Sequence, residues 1–200
     1  MPKPFSEREK AFIRKRLKEE TIACLEKYGI RKTTVDELVR RVKIPKGTFY
    51  LFYPSKELLV FDVFLGFHES IHNEFIAAIK KIGQQPSPEQ IATLIFHLYK
   101  QVEASFFYRF AVNGEMEWLL RKLPPEVAKA HAEVDDISIE NFISLIPGIE
   151  EVNVPVFSAA LRGVFLSMLH KQEIGENVFD EALKLMIRGI ILQMLGGNHA

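Results

Sequence analysis

A chain of 200 residues, 48% hydrophobic and 26% charged, is long enough to bury a substantial core and has the balance of an ordinary soluble globular protein. Its single cysteine, Cys24, excludes an intramolecular disulfide, and the N-terminus lacks the apolar run and cleavage site of a secretory signal. Arg162 and Arg188 interrupt the most apolar segments, so no membrane span is expected and the setting reads as reducing and cytoplasmic. The net charge of zero conceals a division: residues 1–57 hold 15 Lys and Arg against 8 Asp and Glu, a balance of +7, and residues 58–200 carry −7. A basic module that faces a polyanion explains the division, as do basic helices that are simply well solvated; charge alone leaves both open.

In chain order the sequence reads as all helix, with about nine segments of 3.6-residue period separated by short Gly and Pro breaks. The first runs from the N-cap Ser6 to Tyr28, with Ile13, Leu17, Leu25 and Tyr28 on its apolar face and Gly29 at its end. A short second helix opens at Thr34, whose spacing to Glu37 is that of a capping box, and ends near Val42. A third begins at Pro45, and Pro54 and Ser55 end it and cap the next. The fourth, about 55–82, is roughly 40 Å long and able to join one module to another. Beyond a linker at 84–88, helices are expected at about 88–105, 106–122, 125–146, 155–171 and 176–195.

Two helices of similar length around a tight turn, about 33–53, match a helix-turn-helix, in which the second helix enters the DNA major groove. Val35, Leu38, Val39, Val42, Ile44 and Phe49 form an apolar wedge, leaving Lys46, Gly47, Thr48, Tyr50 and Leu51 directed outward. Lysine, hydroxyl and phenol groups suit phosphate, and a glycine lets a backbone come close. Any helical hairpin shows such a wedge, so periodicity leaves DNA binding and plain packing both open.

The residues themselves are more specific. T-T-V-D-E-L-V (Thr33–Val39) followed by I-P-K-G-T-F-Y-L-F-Y-P-S-K-E-L-L (Ile44–Leu59) resembles the TetR family of transcriptional regulators over about 50 residues, roughly 8–62. The resemblance implies an N-terminal three-helix DNA-binding domain at 1–54 and an effector-binding and dimerisation domain at 55–200. It implies phosphate contacts from Thr33 or Thr34, a recognition helix starting at Lys46, Gly47 and Thr48, a phenol contact from Tyr50, and an ammonium contact from Lys56. Several positions depart from the family pattern: Pro45 replaces a capping serine, Leu51 a polar or aromatic residue, and Phe52 a Tyr or His, while Tyr53 replaces a Phe. Leu51 either meets thymine methyl groups or packs inward; both readings stand at this point.

A competing motif is His68-Glu69-Ser70-Ile71-His72, the H-E-x-x-H of zinc hydrolases, with Glu69 as candidate base. The extension that follows it in many such enzymes is missing, and the chain shows no sheet to back the helix. No phosphate-binding loop, dinucleotide fingerprint or serine-nucleophile elbow occurs, so neither an enzyme nor a cofactor is expected. A purely structural helical interaction protein is the other alternative.

Residues 88–171 are rich in aromatics, and the resemblance implies a cavity there for a small effector, apolar or aromatic by its surroundings. Candidate lining residues are His97, Phe107, Arg109, Phe110, Asn113, Glu117, Trp118, His131, Arg162 and Phe165. Helices 155–171 and 176–195 are apolar nearly all round, which fits either a fully internal pair or one shared with a partner. The resemblance implies the second, a homodimer joined through these two helices. The expected function is repression at a palindromic duplex operator, relieved by the effector.

Overall fold

The computed structural model describes residues 5–149 and 152–196, the side chains of 130–138 apart. The fold is all-α: the described residues form eleven helices and no strand. They are α1 (Glu7–Lys32), α2 (Val35–Val42), α3 (Lys46–Phe52), α4 (Lys56–Ile82), α5 (Pro88–Ala104), α6 (Phe106–Val112), α7 (Glu115–Lys122), α8 (Pro125–Ser144), α9 (Val154–Met168), α10 (Lys171–Gly175) and α11 (Phe179–Gly196). Two more than expected arise from local breaks. Gly114, at φ 65°, divides 106–122 into α6 and α7, and the short α10 precedes α11.

Helix starts follow local chemistry. Ser6 and Glu9 form a reciprocal capping box on α1, as Ser87 and Gln90 do on α5, where Pro88 takes the first turn. At α2 only half of the expected box forms. Thr34 accepts from the Glu37 N–H at 3.2 Å, but the Glu37 carboxylate turns to Arg40 and Arg41 instead of the cap. Two guanidiniums within one turn are stronger partners for a carboxylate than one backbone N–H.

By contacts the chain divides into two compact units, Met1–His68 with Arg109–Pro125, and Glu69–Tyr108 with Glu126–Ala200. Thus α4 and α6 each begin in one unit and end in the other, and the first unit takes in α7 besides the N-terminal segment. Its core holds Ile13, Leu17, Cys24, Leu25 and Ile30 of α1, Leu38 and Val39 of α2, Phe49 of α3, and Leu59, Val60, Val63 and Phe64 of α4. Phe110, Leu119 and Leu123 are buried in the same unit. Tyr28, expected on the buried face of α1, is exposed; it is the last residue before the break at Gly29.

In the second unit α11 packs along α5 and α9. Phe179, Leu183, Ile187, Ile191 and Met194 of α11 meet Ile91, Ile95 and Leu98 of α5 and Leu161, Val164 and Met168 of α9, with Phe75 and Ile79 from the end of α4. Tyr99 donates its hydroxyl to the Leu161 carbonyl at 2.7 Å, and Tyr108 donates to the Met168 carbonyl at 2.8 Å. Each phenol satisfies its polar end on a helix backbone as it packs.

Between α2 and α3 the chain turns at Lys43, which stands in the left-handed region at φ 61°, ψ 46°. A Cβ at this conformation costs energy that a glycine avoids. Lys43→Gly therefore raises the stability of the protein, by about 1 kcal/mol, measured by denaturant unfolding. An unchanged or lowered midpoint would show that the lysine side chain offsets its backbone strain.

Candidate DNA-recognition site

The site is built on the α2–turn–α3 unit. Leu38, Val39 and Phe49 are buried, and Val35, Val42 and Ile44 are half-buried, which is the expected wedge. The Lys43 and Ile44 N–H groups both donate to the Val39 carbonyl, closing the end of α2 and fixing the approach to α3. Pro45 caps α3 without a side-chain bond, as its missing hydroxyl requires.

On α3 the inner arc is Thr48, Phe49, Phe52 and Tyr53, a helical spacing that leaves Lys46, Gly47, Tyr50 and Leu51 exposed. Leu51 is 73% exposed, which decides between its two readings in favour of the outward one. Tyr50 is 50% exposed with its ring edge-on to Phe49 at 5.3 Å. Thr48, expected outward, belongs to the inner arc and is buried. The Lys46 ammonium lies against the Asp36 carboxylate, 3.0 Å from Oδ2 and 2.9 Å from Oδ1.

The unusual pair Phe52 and Tyr53 has a clear arrangement. Tyr53 is buried and donates its hydroxyl to Asp62 Oδ2 at 2.6 Å, while Lys18 donates to Asp62 Oδ1 at 2.9 Å. Burial, reinforced by the Asp62 carboxylate, pushes the Tyr53 phenol well above its ordinary pKa. Phe52 is half-buried beside Phe5, with the Arg14 guanidinium 5.5 Å from its ring centre. The polar tip absent from position 52 is thus present one residue later, directed inward.

The N-terminal end of α2 rests on a clasp. Gly29 adopts φ 72°, ψ 175°, a region that is essentially glycine's alone. Its carbonyl accepts from both the Thr33 N–H and the Thr33 hydroxyl, the latter at 2.8 Å. Thr33 is fully buried, so its hydroxyl is committed to the fold, whereas Thr34 is exposed at the cap. Lys56, expected to reach phosphate, donates to the Ile30 carbonyl at 2.8 Å and the Thr33 carbonyl at 2.9 Å. Its ammonium lies 5.7 Å from the centre of the Trp118 ring, and burial lowers its pKa. Glu115 Oε2 accepts from the Ile30 N–H at 3.3 Å. A Cβ on Gly29 would stand 2.8 Å from Glu115 Oε1, so the missing side chain is what admits the carboxylate.

The expected effector residues fall in both units. In the first, Phe110 is buried, Asn113 and Glu117 are exposed, Trp118 is half-buried over Lys56, and Arg109 donates to the Glu26 carbonyl. In the second, Phe107 and Phe165 come together, ring centres 6.3 Å apart, with Tyr99 6.4 Å from Phe165. Arg162 is half-buried there. His97 is exposed, its Nε2 3.5 Å from Glu74 Oε1, and it lines an open depression of about 760 Å³ with Ile82, Ser87, Glu89, Gln90, Thr93 and Leu94. The side chain of His131 lies outside the described residues.

The zinc-hydrolase motif lies on α4. The His68 ring is 4.5 Å from the Phe64 ring and the His72 ring 5.0 Å from the Phe142 ring, with Glu69 exposed. Among the described residues no group of three or more His, Cys, Asp or Glu side chains is placed to hold a metal ion. Each histidine has an aromatic neighbour.

A short helix-turn-helix with an exposed second helix, on an otherwise all-helical chain, is the arrangement of a helix-turn-helix head. Residues 19–63 match the model of the bacterial regulatory proteins of the tetR family. Several solved structures share the fold across nearly the whole chain. A protein described as a TetR-family transcriptional regulator from Mesorhizobium loti MAFF303099 matches at a TM-score of 0.66 and 13% identity, covering 94% of this chain and 96% of its own. FadR of Bacillus subtilis, in complex with stearoyl-CoA, matches at 0.60 and 12%, covering 92% and 99%. RolR, in complex with resorcinol, matches at 0.55 and 16%, covering 95% and 98%. No curated protein matches the sequence. Residues 19–63 thus carry the TetR-family sequence, and the chain as a whole shares the fold of these structures.

Sequence reasoning missed Glu115 and the carbonyl partners of Lys56, because neither residue has a local pattern that marks a contact tens of positions away. Only Gly29 signalled that something special happens at that junction. Gly29→Ala is expected to destabilise the protein by about 1–3 kcal/mol from backbone strain alone. Lys56→Met strips two carbonyls of their donor, a loss of about 1–3 kcal/mol. Denaturant unfolding of both variants checks this, and wild-type midpoints in either would remove the clasp from the account.

Proposed function

We propose that this regulator is a homodimeric repressor that binds a palindromic operator through α3 and is released by a small apolar or aromatic effector. The observation that carries the DNA reading is the exposed face of α3, which offers Lys46, the bare backbone of Gly47, the Tyr50 phenol and Leu51 on a TetR-type head. Tyr50 and the exposed cap Thr34 supply phosphate contacts, with the N–H groups of the first turn of α2. Thr33, Thr48 and Lys56 act from within, holding α2 and α3 at the angle that presents these groups. Leu51 reads thymine methyl groups.

The outer faces of the last helices support dimerisation through them. Beyond their buried sides, α9 exposes Val156 and Leu166 together with Ala159 and Gly163, and α11 exposes Leu185, itself 75% exposed, and Leu192 beside Gly189. Two helices with apolar residues on opposite faces need cover on both, and small residues let a second copy approach closely. A dimer places two copies of α3 on successive turns of duplex DNA. The effector reading is supported by the half-buried aromatic group of Tyr99, Phe107 and Phe165 and by the ligands carried by FadR and RolR. A cytoplasmic location belongs to the same reading, and among the described residues no helix is long and apolar enough to cross a membrane.

Selection from a random duplex pool tests the reading: the protein recovers an inverted repeat, and binding weakens steeply as salt rises. Tyr50→Ala lowers affinity for recovered and shuffled duplexes alike and flattens the salt dependence by about one unit per lost phosphate contact. Leu51→Ala loses its preference for the recovered duplex over the same duplex with uracil for thymine; a preference kept in full would exclude methyl readout. Leu185→Glu converts the dimer to monomers in sedimentation and weakens operator binding at least about a hundredfold by removing the second half-site contact. A dimer that survives this change does not use α11 in the proposed way.

A further inference from the structure

The charges around α3 are not equivalent. Glu37, in the first turn of α2, is neutralised within its own helix by Arg40 and Arg41. Asp36, its neighbour, is matched across the turn by Lys46, the first residue of α3. Both members of that pair lie at the surface, Lys46 52% and Asp36 73% exposed. Asp36 stands two residues beyond the cap Thr34, at the positive end of the α2 dipole. A phosphate that approaches this end of α2 therefore meets a carboxylate already in contact with the nearest α3 cation, with the same sign of charge and the same kind of acceptor oxygens. The contact also raises the Lys46 pKa, through the hydrogen bond first and the charge second.

We propose that Asp36 is a specificity determinant of the DNA-binding head: it withholds the Lys46 charge from DNA in general and aims that side chain for the one duplex that α3 fits. The two effects separate by their targets. Withholding a charge weakens attraction to every duplex, since backbone attraction carries no sequence information. Aiming Lys46 benefits only the complex in which α3 is seated in the groove and a side chain must reach a given base edge or phosphate. Loss of the carboxylate therefore raises binding to arbitrary DNA more than binding to the operator, and selectivity falls. This inference rests on the reading of α3 as the DNA-recognition helix.

The test uses the full-length protein, the duplex that the wild type recovers from a random pool, and a shuffled duplex of the same composition. In Asp36→Asn the affinity for the shuffled duplex rises about fivefold, and the salt dependence of binding steepens by about one unit. The preference for the recovered duplex falls. Asp36→Ser, which keeps a polar group near the helix start but no charge, behaves the same, and melting curves confirm that both variants are folded. In a Lys46→Met background Asp36→Asn no longer alters the preference. An unchanged preference and salt slope in Asp36→Asn, or a fall in preference that persists without Lys46, overturns the proposal. Failure of the underlying reading looks different: the wild type then recovers no sequence, or binds the recovered duplex equally well after Tyr50→Ala and Leu51→Ala, and the role of Asp36 falls with it.

Discussion

Two backbone carbonyls at the end of α1, those of Ile30 and Thr33, converge on the ammonium of Lys56 at the start of α4. The ammonium carries three donors, and the half-buried site strengthens the bonds it makes while making their loss costly. Around this point the chain must kink at Gly29, seat Thr33 and present Thr34 as the cap of α2. Glu115 completes the junction from α7 by accepting the Ile30 N–H, which the bare Cα of Gly29 allows. Everything proposed for the DNA-facing surface depends on α2 beginning where it does. A shift there would move the α2 N-terminus, the Lys43 turn and α3 together, because they are joined by short, hydrogen-bonded segments.

The same junction explains why the first compact unit includes residues far apart in sequence. Arg109 holds the Glu26 carbonyl, Glu115 the Ile30 N–H, and Trp118 covers Lys56. These contacts are polar and directional, so they fix α7 to the end of α1 in one register rather than letting apolar faces slide. In the other unit Tyr108, at the start of α6, donates to the Met168 carbonyl.

Helices α9 and α11 raise a different constraint. Each buries one apolar side within its own unit, through Leu161, Val164 and Met168 and through Leu183, Ile187 and Ile191. Each carries a second apolar stripe outside, interrupted by glycine. Such a surface left in water invites association, so the reading of a self-complementary partner accounts for both stripes at once.

The all-α class, the helix starts at Ser6, Thr34 and Pro88, the wedge of Leu38, Val39 and Phe49, and the TetR-family resemblance of the N-terminal segment were legible in the sequence alone. Each rests on interactions within a few residues: a cap reaches three positions along, an apolar stripe repeats every turn, and the recognition motif is contiguous. The outward face of Leu51, the inward place of Thr48 and Tyr53, the pairing of Lys46 with Asp36 and the clasp of Lys56 were decided only by tertiary structure. Their partners lie ten or more positions away or depend on which arc of a seven-residue helix meets the core. A long charged side chain has no local signature for its partner: Lys56 suits phosphate and carbonyl equally well by type, and only the nearness of the Ile30 and Thr33 carbonyls in the folded chain makes the choice.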